Sequence, residues 1–162
     1  MIGRVARHIA SLHPGLYALG FVFVGMAPVA IGYAGHDVPA WLPGAYVVVL
    51  SALMCGWWWS INWISRKERS LLGSSGDALL YAGPSFVGLI SHLAGWSMNN
   101  SAAALAFFGL MFAAIWTTAR AMTRAEGRDD AGTTISTCIL LYLAPLGAWL
   151  LRRRIQGILA TA

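Results

Sequence analysis

The sequence predicts an all-α, polytopic transmembrane helix bundle of about five spans, with four spans as the alternative. Three observations carry this. Five stretches hold no charged side chain: residues 16–34, 42–64, 78–96, 101–119 and 134–151. At about 1.5 Å per residue each makes a helix of roughly 27–35 Å, close to the ~30 Å hydrocarbon layer of a bilayer. Hydrophobic residues make up 58% of the chain and charged residues 10%, against about 25% charged in a typical soluble domain. The two longest connectors, residues 65–77 and 120–133, are too short to bury a core, so residues 1–162 read as one membrane domain.

The first span is expected to begin at His13-Pro14-Gly15, because proline suits a first helical turn where its missing N–H costs nothing. Arg4 and Arg7 ahead of it resemble a signal-peptide n-region. The apolar run of 19 residues is longer than a usual h-region, so the segment is read as a retained span. Pro28 should loosen this helix. A turn at residues 36–39 follows, and Pro43 opens the second span. That span ends in Trp57, Trp58, Trp59 and Trp63, followed at once by Arg66, Lys67 and Arg69. Indole rings favour headgroup depth and cations the cytoplasmic side, so the four tryptophans read as an interface belt. The rival reading, an aromatic box, is weakened because consecutive helical residues point in different directions. Residues 97–100 are a tight connector that makes the third and fourth spans antiparallel neighbours. The fourth carries Ala102, Ala106, Gly109, Ala113 and Thr117 at helical spacing, a narrow stripe against which another helix can pack closely, in this chain or another.

Cations set the expected topology. Five spans with a cytoplasmic N-terminus place Arg4, Arg7, Arg66, Lys67, Arg69, Arg120, Arg124 and Arg128 inside and Arg152, Arg153 and Arg154 outside. Four spans, with residues 78–96 not crossing, place equally many inside. A third arrangement places all 11 inside, if residues 134–151 enter and return; Pro145 and Gly147 could support that break. Five spans are preferred. The net charge of +5 is explained by cations flanking apolar segments, not by nucleic acid.

The C-terminal third carries a resemblance. Ala104 to Phe108 runs on to Ala119-Arg120-Ala121-Met122 and Glu126, and then come Pro145-Leu146-Gly147-Ala148-Trp149 and Arg154-Ile155-Gln156. This resembles a loose group of small bacterial multi-spanning membrane proteins whose last helix reads aromatic-Pro-x-Gly-x-Trp, then Gln-Pro-Arg-x-Asn. The Gly56-Trp57 pair before a basic turn is similar to that group as well. Here Arg152 and Arg153 stand where the Gln-Pro pair would be, and Gln156 replaces the Asn. The resemblance implies a bacterial multi-helix membrane protein and carries no activity with it.

Candidates for chemistry are few. His92 is the one ionisable imidazole, amine or carboxyl side chain within an apolar stretch, and such groups are costly in membranes and often functional. A neutral histidine bonded to a nearby carbonyl or hydroxyl is the plainer reading. Asn62, beside Ser60 among the tryptophans, could bind a headgroup or simply sit at a wet helix end. Cys55 and Cys138 lie in apolar stretches without CxxC spacing and read as small buried hydrophobes. No GxSxG, HExxH or GxxxxGK[ST] pattern occurs. No metal cluster is evident, so no cofactor is expected. Glu126, Asp129 and Asp130 share a connector with Arg120, Arg124 and Arg128 and read as a solvated turn whose charges cancel. The sequence therefore predicts a non-catalytic accessory or scaffold subunit in a bacterial inner membrane, N-terminus cytoplasmic, whose partners are the lipid bilayer and other membrane proteins or a second copy. The alternatives are a small transporter or channel using His92, and an immunity protein against a membrane-acting toxin.

Overall fold

The structure, a computed structural model, describes residues 2–35, 37, 39, 41–66, 74–95 and 101–161. Seven helices account for nearly all of them: α1 (Ile2–Ser11), α2 (Pro14–Tyr33), α3 (Leu42–Ser65), α4 (Ser74–Leu93), α5 (Ser101–Ala125), α6 (Ala131–Tyr142) and α7 (Ala144–Thr161). No described residue forms a strand. Two helices are long and apolar enough to cross a membrane, α3 and the Ala102–Ala125 part of α5. Gly3–Ser11 and Pro14–Met26 make a third only if the pair, bent by 83°, is taken as one span. Among the described residues five spans of that quality are not found. The expected tight connector at residues 97–100, together with His36, Lys67 and Arg69, lies outside the described residues.

α3 is the central post. α4 runs antiparallel along it: Arg66 meets Asp77 at one end, Ser51 meets Ser85 at mid-length, and the His92 ring stands over Gly44 at the other. α5 returns beside both, and its Thr118 hydroxyl donates to Ala114 and also approaches the Trp58 carbonyl. α2 descends the far side, with Gly20 beside Leu53 and Gly25 beside Tyr46. The core runs from Met54 to Ile64 on α3 and is closed by Ala114, Ile115, Ala119 and Met122 of α5 and by Leu141, Ala148, Leu151 and Ile155 of the last two helices.

Two departures from the expected elements matter. First, residues 2–11 form a helix of their own ahead of the first expected span. Ala6 and Ala10 are buried, whereas Arg4, Arg7 and His8 are exposed. Second, residues 134–151 are not one helix. α6 ends at Tyr142, and α7 starts from a tight turn in which the Leu146 and Gly147 amides both donate to the Leu143 carbonyl. Proline at 145 has no N–H for the Leu141 carbonyl four residues back, which is the physical reason for the break. The two limbs close so tightly that a Cβ at position 147 would run into the Leu140 carbonyl; glycine is required there.

Candidate functional site

The α6–α7 hairpin begins at a turn built by Gly127 at φ 71°, where the Arg128 amide donates 2.8 Å to the Thr123 carbonyl and ends α5. Asp130 then caps α6: its carboxylate accepts the Thr133 amide at 2.7 Å. The Thr133 side chain, and then this amide bond, hold the Asp130 carboxyl below its ordinary value. The turn aims Glu126 at α7. Arg154 meets it through two parallel bonds, Nε to Oε1 at 2.7 Å and Nη2 to Oε2 at 2.6 Å, and gives Nη1 to the Thr137 hydroxyl at 2.9 Å. Both side chains are mostly buried. A bidentate, charge-assisted pair of this kind fixes orientation as well as distance. It holds α7 alongside the start of α6, so Arg154 lies at the same end of the molecule as the α5–α6 turn.

This corrects two expectations. Glu126 does not belong to a self-cancelling solvated run; only Arg124 and Asp129 pair across that turn, 3.2 Å apart and largely exposed. Nor does Arg154 lie across the molecule from Arg124, as a continuous last helix requires.

The tip of the hairpin is held from below. Trp58, fully buried, donates its indole N–H to the Leu141 carbonyl at 3.2 Å, the acceptor that Pro145 leaves free. The Trp58 carbonyl lies 3.3 Å from the Thr118 hydroxyl, which also meets the Tyr81 hydroxyl at 2.8 Å. The belt expectation therefore needs correction. Trp57 and Trp58 are core residues, and Trp59 and Trp63 are half-buried. Trp57 and Trp58 are packed inside the bundle and so do not face lipid headgroups.

Below the tip the bundle is left with a cleft of about 470 Å³. α3 and α5 form its walls, Phe21 of α2 closes one side, and Tyr142 and Ala144 of the hairpin tip form its roof. No charged side chain lines it. Ser51, a polar group in its lining, is already bonded to Ser85 at 3.0 Å and to the Val48 carbonyl. Such a lining accommodates an apolar chain and offers no charge to an ion.

The sequence-predicted candidates scatter. His92 is not in the lining of this cleft; it packs on Gly44 at the far end of α3. Asn62 is buried and accepts from Arg66 Nε at 3.3 Å, while Arg66 makes two bonds to Asp77 at 2.6 and 3.2 Å. It positions an ion pair and does not face headgroups. Ala102, Ala106, Gly109 and Ala113 are exposed, Thr117 half so, and nothing lies within 4 Å of where a Gly109 Cβ would stand. At Ala106, Gly109 and Ala113 the stripe faces away from the other described helices. Among the described residues no group of three or more His, Cys, Asp or Glu could hold a metal ion. Comparison with protein-family models, curated proteins and solved structures finds no match.

Arg154, Glu126 and the Trp58–Leu141 bond were not singled out from sequence. Pro145 and Gly147 signalled the hairpin, but a pairing across 28 residues leaves no local signature.

Proposed function

We propose that this chain is a non-catalytic integral membrane subunit that docks on another membrane helix through the outward face of α5. The observation that carries this is that face itself. Ala106, Gly109 and Ala113 form a shallow groove open to the outside, bordered by Leu105, Phe108 and Phe112, each more than 60% exposed. In lipid, helices associate where small residues let backbones approach, because burial of apolar area supplies no driving force there. The polar groups inside the bundle support the same reading: Arg154, Arg66, Tyr81 and Thr118 are engaged with one another or with the backbone, which suits a rigid support.

The membrane arrangement belonging to this reading has α2, α3, α4 and α5 crossing and α6–α7 entering and returning. The N-terminus and all the arginines then face the cytoplasm of a bacterial inner membrane. Gly109→Leu tests the docking face. The space at Gly109 is open, so the isolated protein should keep its stability to within about 0.5 kcal/mol. Its partner, or its second copy, should be lost on extraction in mild detergent. A complex that survives Gly109→Leu and Ala113→Leu together rules the face out.

A further inference from the structure

α1 turns 83° away from α2, so when α2 stands along the membrane normal α1 lies in the plane of the interface. Three contacts hold it there. Gly3 faces the Trp63 ring, Ala6 and Ala10 are buried, and the Tyr17 hydroxyl donates 2.6 Å to the Ile9 carbonyl. The opposite face carries Arg4, Arg7, His8 and Ser11, spaced i, i+3, i+4 and i+7, which stacks them in one row. This row borders an open cleft of about 610 Å³, to which α7 contributes Leu159 and α1 also contributes Val5. No carboxylate lines the cleft, and among the described residues neither Arg4 nor Arg7 forms an ion pair. Arg66, Arg124 and Arg154, by contrast, all have acidic partners.

We infer that the cleft between α1 and the end of α7 binds the headgroup of an anionic phospholipid. The charge is one-sided and calls for an anion. Val5, 46% exposed, and Leu159 add apolar surface beside the cations, which a phospholipid uses and a free anion does not. An in-plane amphipathic helix with arginines on its polar face is the geometry that meets headgroup phosphates. The inference needs the membrane location but not the α5 docking reading, and α1 lies apart from that face.

The test uses the full-length protein purified from mixed micelles of phosphatidylglycerol and phosphatidylcholine, with bound lipid counted by mass spectrometry after a detergent wash. The wild type should retain phosphatidylglycerol in preference to phosphatidylcholine and release it as ionic strength rises. Arg4→Gln with Arg7→Gln should lower retention by roughly tenfold to thirtyfold. Arg4→Lys with Arg7→Lys should largely keep it, and Arg124→Gln should leave it unchanged. Three outcomes would overturn the inference: retention that ignores salt in the unaltered protein, an equal loss in Arg124→Gln, or complete displacement by excess inorganic phosphate at constant ionic strength, which would mark a free-anion site.

Discussion

The Leu141 carbonyl couples two residues that are far apart in sequence. Pro145 deprives it of its helical donor, and the Trp58 indole replaces that donor at 3.2 Å. A buried carbonyl left unpaired costs roughly 1–3 kcal/mol. Trp58→Phe keeps an aromatic ring and removes the N–H, so it should destabilise the fold by about that much, with a further packing loss. Pro145→Ala restores an N–H at that position, and part of the Trp58→Phe penalty should vanish in the double variant. Denaturation of the four proteins in detergent measures the coupling. Strict additivity would show that the indole N–H does not serve that carbonyl.

At the scale of elements, the hairpin depends on its first residue as well as its tip. Asp130 has a lowered carboxyl because its ionised form accepts hydrogen bonds from the Thr133 side chain and the Thr133 amide. A depressed folded pKa gives stability that is fully present above the ordinary carboxyl value of 3.8 and is lost as pH falls through the folded value. The difference in melting temperature between wild type and Asp130→Ala should therefore hold steady near neutrality and shrink in acid below 3.8. A difference that persists unchanged at the acid end would assign the effect to helix propensity instead.

The elements also mark what could be read in advance. α3 and α5 were legible because their lack of charge is a property of the segment alone. α1 is hard to read because Arg4 and Arg7 serve equally well as topological markers, and their row with His8 and Ser11, opposite Ala6 and Ala10, appears only at helical period. The break at Leu143 had its signal in Pro145 and Gly147. Charge-free length outweighed it, since a count of charges carries no information on which carbonyl lacks a donor. The stripe on α5 was visible as a pattern, but its outward direction depends on how three other helices pack.

For the whole molecule, the Glu126–Arg154 pair brings Arg154 to the end where other described arginines lie. Arg4, Arg66, Arg124 and Arg154 all lie toward the end of α3 that carries Ser65, and Gly35, Gly95 and the start of α5 lie toward the other. In a protein freed of Cys55 and Cys138, single cysteines at Arg128 and Arg153 should be labelled from the same face of the membrane, and one at Gly35 from the opposite face. Labelling of residues 128 and 153 from opposite faces would restore a fifth crossing and remove the returning hairpin.

The hairpin's depth sets the shape that the lipid must surround. α6 has 12 residues, a length of about 18 Å, and its tip meets α3 at Trp58, well short of the far end of that helix. In the proposed arrangement with α2 to α5 crossing, the leaflet at the end of α3 that carries Ser65 would accommodate four crossing helices, both limbs of the hairpin and α1. The other leaflet would accommodate the four crossing helices alone. That arrangement would make the molecule a wedge: each copy would displace more lipid area from one leaflet than from the other, and the cleft beneath the tip would lie where its cross-section narrows.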